Sequence, residues 1–133
     1  MADYDVVVVG AGNAAFCSAF AAAIDQGARV VMLERAPEDE FGGNSRYTAG
    51  AIRFAHNGVK DLATVMELNP EETQNTDFGV YTADNFYDDM YRVTNYRCDA
   101  DLVEVLVTQS LPTMQWIKQK GVRFQPSYGR QAF

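Results

Sequence analysis

The stretch Asp5-Val6-Val7-Val8-Val9-Gly10-Ala11-Gly12-Asn13-Ala14-Ala15 decides how this chain is read. Tyr4 to Val9 is a short, mostly apolar and β-branched run, broken only by Asp5 and closed by Gly10, the pattern of a strand buried on both faces of a parallel sheet. Asn13 to Gln26 is dominated by alanine, carries Phe16, Phe20 and Ile24 at i, i+4 and i+8, and leads to Gly27, where a left-handed helix end is expected. Small residues at Ala14, Ala15, Ser18 and Ala22 let such a helix lie close on a sheet. Arg29 to Glu34 repeats the buried-strand pattern, and two parallel strands joined by a helix require a right-handed crossover.

Inside that unit, Gly10 to Ala15 is a G-x-G-x-x-A run between strand and helix, and Glu34 stands 22 residues past Gly12 at the end of the second strand. Each position has a physical task in binding a dinucleotide. Gly10 permits the tight turn, Gly12 admits a pyrophosphate to the backbone, and Ala15 keeps helix and sheet close. The N–H groups at the helix start, from Asn13 and Ala14 onward, hold phosphate oxygens, helped by the positive end of the helix dipole. Glu34, with Arg35 beside it, accepts hydrogen bonds from ribose hydroxyls. The fingerprint leaves NAD and FAD open, because both carry the adenosine diphosphate it recognises. The fold expected is α/β, a Rossmann-like domain on a parallel sheet. Residues 1–34 form the βαβ unit, 35–58 a ligand-contacting loop, and 59–133 a mainly helical segment ending in a short strand.

Past Arg35 the periodicity dissolves into glycine, asparagine and polar residues, too long for an ordinary connection and so expected to be a functional loop. Leu62 to Glu67 fits one or two helical turns, and Asn69 to Asp77 reads as loop. Thr82 is placed to cap a helix from Ala83 to Thr94, and Asp99 to cap another with Leu102, Val105, Leu106 and Gln109 on one face. Pro112 reads as the first turn of a further helix ending at Gly121. Val122 to Phe124 reads as a strand stopped by Pro126.

With 133 residues, 47% hydrophobic and 22% charged, the chain suits one globular domain with its own core. Its net charge of -7 is local: residues 58–101 hold ten acids and three bases, leaving the rest balanced at eight and eight. Nucleic acid is a poor partner for such a surface. The apolar runs are too short to span a bilayer and no basic leader precedes them, so no transmembrane segment is expected and a cytoplasmic location is. Two cysteines and one histidine give neither a disulfide framework nor a metal set. His56 reads as a solvated side chain, Cys17 as a small core residue, and Cys98 as an ordinary one that can be exposed. Trp116, Phe124 and Tyr128 read as packing, and Asp88 and Asp89 as a solvated helix face. Arg46, Arg53 and Arg130 are either partners for substrate carboxylates or surface ion pairs.

The loop Gly42-Gly43-Asn44-Ser45-Arg46-Tyr47-Thr48-Ala49-Gly50-Ala51, taken with the chain start, resembles the flavoproteins of the fumarate reductase and succinate dehydrogenase family. The resemblance implies FAD, with Gly43, Asn44 and Ser45 beside the pyrophosphate and flavin, and Thr48, Ala49 and Gly50 near the ring. Asn44 stands where membrane-bound relatives carry the histidine that attaches flavin covalently, which implies noncovalent FAD. Ala51 replaces a glycine common in the family. Trp116-Ile117 and Gly121 to Pro126 are similar to stretches of a member that oxidises propane-1,2,3-tricarboxylate. Other members act on fumarate, succinate or 3-oxosteroids. The implied reaction removes two hydrogens from a small carboxylate substrate to form a C=C bond, with an electron-accepting protein or quinone-linked partner. The family's base and clamp arginines cannot be placed here, so no catalytic residue is assigned, and the chain is expected to be the N-terminal part of a larger two-domain flavoprotein, inactive alone. An NAD-dependent dehydrogenase domain and a nonenzymatic nucleotide-sensing module are the alternatives.

Overall fold

The valine run forms strand β1, Val6–Val9, which pairs in parallel with β2, Val30–Leu33, placing Val6 opposite Val30 and Val9 opposite Leu33. The computed structural model describes residues 3–127 and divides the chain into two compact units, with the division between Ile52 and Arg53. In the first unit, helix α1, Asn13–Phe20, runs on into a wider π-helical turn, Ala21–Asp25, before the backbone reverses at Gly27 with φ +69°. The expected helix from Asn13 to Gln26 is thus α-helical only in its first half.

Helix α1 packs on both strands through small side chains, but its inner face is rotated from the one expected. Ala19 is buried and Ala15 and Ala22 half-buried, whereas Ala14 and Ser18 face solvent, as do Phe16, Phe20 and Ile24. Side chains alternate across a strand, so Val8 is buried while Val7 and Val9 remain 57% and 83% exposed. The double burial expected of the valine run therefore holds on one face only, since no described element of this unit covers the other. At the strand starts Asp5 and Arg29 form a two-point ion pair, Nη2 to Oδ1 at 2.8 Å and Nε to Oδ2 at 3.0 Å. That guanidinium holds the Asp5 carboxyl below its ordinary value.

The second unit is helical: α2, Val59–Val65; α3, Pro70–Asn75; α4, Ala83–Val93; and α5, Ala100–Gln119. Thr82 caps α4 through a reciprocal pair, the Asn85 N–H donating to its hydroxyl at 3.2 Å and its own N–H to Asn85 Oδ1 at 3.1 Å. Asp99 caps α5 by accepting from the Leu102 N–H at 3.1 Å. Three expectations fail here. The segment Asn69 to Asp77 is not all loop, because Pro70 starts a short helix and the Thr73 hydroxyl donates back to the Pro70 carbonyl. Pro112 opens no new helix but lies inside α5. Residues 122–124 form no strand; Phe124 instead packs against a core cluster.

Two apolar clusters hold this unit. Phe54, Leu62, Val65, Met66 and Met114 make one, and Phe86, Val103 and Val107 the other. The buried stripe of α5 is Val103, Val107, Ser110 and Met114, so the face expected to pack, with Leu102, Val105 and Leu106, is the exposed one. Cys98 lies partly buried against the second cluster. Lys120 stands over the Trp116 ring, 5.3 Å from its centroid.

Candidate functional site

The turn between β1 and α1 requires Gly10 for its backbone conformation. Gly10 has φ +111°, which a Cβ strains, and its N–H donates to the Leu33 carbonyl at 2.7 Å, tying the turn to the end of β2. Gly12 is the helix N-cap and has no side chain to cap with. A Cβ there would stand 3.4 Å from the Gly42 carbonyl oxygen and 3.5 Å from Ser45 Oγ. The loop that follows β2 is thus laid directly against the glycine turn, and Ser45 Oγ accepts the Asn13 N–H at 3.0 Å. Ala14 and Ala15 follow in the same first turn, where a helix offers its own N–H groups no acceptors. No acidic side chain stands in that turn to oppose an anion.

The loop is built around a 3₁₀ turn, Gly43–Tyr47. The Ser45 carbonyl accepts from the Thr48 hydroxyl at 3.0 Å, and Thr48 Oγ1 in turn accepts the Gly50 N–H at 3.2 Å. Ala49 and Gly50 are both left-handed, φ +52° and +73°, and for Ala49 that conformation is uncommon and strained. Gly43, Asn44, Thr48, Ala49 and Gly50 are all exposed. Arg46 donates to the Asp39 carbonyl, so it is engaged within the loop itself.

Glu34 also converges on the turn. Its Oε1 accepts the Ala36 N–H at 2.8 Å, and that bond, aided by the backbone of Ala11 and Arg35 and the Arg35 charge, holds its carboxyl below the ordinary value. The structure therefore brings Gly10, Gly12, Asn13, Ser45 and Glu34 to one place, with Ala14 and Ala15 in the adjoining helical turn and Gly43 and Asn44 flanking Ser45. The feature that suits a dinucleotide pyrophosphate is the absence of side chains at Gly10 and Gly12 beside a helix start that carries no acidic residue in its first turn. The Gly42 carbonyl and the Ala11 backbone were missed in the sequence, since main-chain groups leave no signature in residue type.

Three side chains read as solvated or undecided are fixed within the second unit. Asp89 Oδ2 accepts from Arg53 Nη1 at 2.6 Å and from the Tyr81 hydroxyl at 2.7 Å, and its Oδ1 accepts from Arg92 Nη2 at 2.7 Å. Arg92, then Tyr81, hold the Asp89 carboxyl below its ordinary value, and burial pushes the Tyr81 hydroxyl up. Arg53 is an ion-paired side chain, its guanidinium over the Tyr81 ring. His56 is half-buried: its backbone bridges to Tyr81, its Nδ1 accepts the Gly58 N–H at 3.2 Å, and Asp61 supplies a nearby negative charge. Arg130 and Tyr128 lie outside the described residues.

The family model for the FAD binding domain matches residues 5–132. The chain belongs to the FAD-binding domain family. Its cofactor is FAD, which settles the choice that the glycine fingerprint left open between FAD and NAD. This FAD-binding domain is similar to the cytochrome-type fumarate reductase of Shewanella frigidimarina, 32% identical over 88% of the chain and 18% of the relative. It is likewise similar to an NADH:acrylate oxidoreductase of Vibrio harveyi, 27% identical over 92% of the chain and 16% of the relative. A vinyl phenol reductase of Lactiplantibacillus plantarum is 29% identical over 92% of the chain and 21% of its own length. The chain thus spans about a fifth or less of the curated relatives it matches. No solved structure matches it. Among the described residues no helix is long and apolar enough to cross a membrane.

Proposed function

We propose that the protein to which this FAD-binding domain belongs is a flavin-dependent oxidoreductase that removes two hydrogens from a di- or tricarboxylate, with tricarballylate, oxidised to cis-aconitate, as its substrate. The observation that carries the reading is the seating of the Gly42 to Ser45 loop on Gly12 and Asn13, which joins the pyrophosphate turn to the loop named by the family resemblance. The similarity of Gly43 to Thr48, Trp116-Ile117 and Gly121 to Pro126 to tricarballylate dehydrogenase supports the substrate. Bound FAD supplies the two-electron chemistry. In this reading Gly10, Gly12, Ala14 and Ala15 receive the pyrophosphate and Asn13 borders it, its N–H being held by Ser45 Oγ, while Glu34 and Arg35 take the ribose and Gly43, Asn44, Ser45, Thr48, Ala49 and Gly50 the flavin side. Residues 1–34, 35–58 and 59–133 divide these tasks as βαβ unit, loop and helical support.

Noncovalent attachment is part of the proposal, because Asn44 offers no nucleophilic ring nitrogen. So are a cytoplasmic location and an electron-accepting protein or quinone-linked partner. The names of the relatives, a fumarate reductase and an acrylate oxidoreductase, favour a second reading, reduction of an activated C=C bond in a fumarate-like substrate.

The test is to assay the complete polypeptide with tricarballylate, succinate and fumarate, using an artificial electron acceptor for oxidation and a reduced dye for reduction. Turnover of tricarballylate alone supports the first reading, and turnover of fumarate alone replaces it with the second. Acid precipitation of the yellow holoprotein should leave the colour in the supernatant; a yellow pellet refutes noncovalent attachment.

A further inference from the structure

Ser45 bonds both to the start of α1 and within its own loop. An α-helix leaves its first N–H groups without partners, and a serine, threonine or aspartate at the N-cap ordinarily satisfies one of them. Helix α1 has Gly12 at that position, with no side-chain cap of its own. A hydroxyl comes instead from 32 residues away and takes a different donor, the first of the helix: Ser45 Oγ accepts the Asn13 N–H at 3.0 Å. The same residue reaches the other way through its carbonyl, which takes the Thr48 hydroxyl at 3.0 Å, and Thr48 Oγ1 takes the Gly50 N–H at 3.2 Å. A continuous run of hydrogen bonds therefore links the start of α1 to the left-handed pair Ala49 and Gly50.

We infer that Ser45 is a positioning residue: it satisfies the first N–H of α1 from outside the turn and thereby sets the height of the Gly42 to Gly50 loop over the pyrophosphate turn. The division of labour has a geometric reason. A side chain at the N-cap reaches the N–H of the second or third helical residue, here Ala14 or Ala15, so the Asn13 N–H is satisfied from outside the turn. Ser45 engages Asn13 and leaves the N–H groups of Ala14 and Ala15, which a helix start does not satisfy itself, to other acceptors. The inference rests on the FAD reading above for its consequence, though not for the geometry of the cap.

The experiment compares Ser45→Ala, which deletes the acceptor, with Ser45→Thr, which keeps it. Amide exchange read by NMR on the FAD-free protein should quicken at Asn13, and at Gly50, in Ser45→Ala and return to the wild-type rate in Ser45→Thr. FAD titration should show affinity roughly threefold to thirtyfold weaker in Ser45→Ala, the worth of a helix cap, with the visible flavin band shifted; Ser45→Thr should restore both. Unchanged exchange at Asn13 in Ser45→Ala overturns the cap. Equal loss of affinity in both variants overturns positioning by the hydroxyl. A wild-type protein that takes up no FAD overturns the cofactor reading instead, and the exchange result still decides the cap.

Discussion

Ser110 is a buried polar residue in the stripe of α5 that otherwise carries Val103, Val107 and Met114. Its hydroxyl donates to the Val107 carbonyl at 2.8 Å and accepts the Ala55 N–H at 3.0 Å, so it pins the extended segment around Phe54 to the helix. Ser110→Ala leaves that N–H buried without an acceptor and should cost about 1–3 kcal/mol in urea unfolding. Glu34 is held as a carboxylate by backbone donors while remaining exposed, the state a ribose ligand needs. Glu34→Ala should weaken FAD binding roughly tenfold to 150-fold, as loss of a charge-assisted hydrogen bond does; a flavin titration with unchanged affinity removes Glu34 from the ribose site. His56 is half-buried, with its Nδ1 taken by the Gly58 N–H. Burial pushes its pKa below 6.5, against the opposing pull of Asp61, so the unfolded chain binds the proton more readily than the folded one. Stability should then fall as pH drops through about 6.5 and level off below the folded value. Unfolding midpoints taken at about pH 7.5 and about pH 5.5 should show this extra loss in the wild type and not in His56→Asn.

At the scale of elements, legibility depended on whether a signal was local. The capping residues Thr82 and Asp99 fixed the starts of α4 and α5 because a cap bonds within three residues of itself. Pro112 misled for the opposite reason: proline at a helix start and proline within a helix look the same in sequence, and only the packing of Val107 and Met114 on either side keeps α5 continuous. Its inner face was equally hidden. Leu102, Val105 and Leu106 make a more apolar stripe than one containing Ser110, yet the tertiary partner of that serine lies at Ala55. Pro112 deprives the Thr108 carbonyl of its helical donor while itself facing solvent. Pro112→Ala should therefore stabilise the protein by about 1–2 kcal/mol, the restored bond outweighing the entropy that proline removes from the unfolded chain; a lower urea midpoint would contradict this.

At the scale of the whole molecule, the βαβ unit was legible because its strands, glycines and acid follow one another within 34 residues. The arrangement of the loop was not. Nothing in Gly42 to Ser45 announces that its carbonyl and hydroxyl rest on Gly12 and Asn13, and nothing in a run of valines says which face will find cover. Val7, Val9 and, on the neighbouring strand, Leu33 stay more than half exposed, and the register pairs Val9 with Leu33 into one patch. Such a patch should bind a hydrophobic fluorescent dye. Replacing Val7 and Val9 together by threonine keeps the β-branched shape and should lower the dye signal while leaving stability within about 0.5 kcal/mol per site; an unchanged signal would place the dye elsewhere.

The distant cap on α1 has a consequence in time. Most helices carry the means of starting themselves in adjacent residues, so their first turn closes in a fraction of a microsecond. Here the Asn13 N–H waits for a residue on the far side of β2, and a loop of that length must close before it gains its acceptor. The first turn of α1 closes through its own Phe16 to Gly12 bond, and its outermost donor is completed by the same contact that seats the loop.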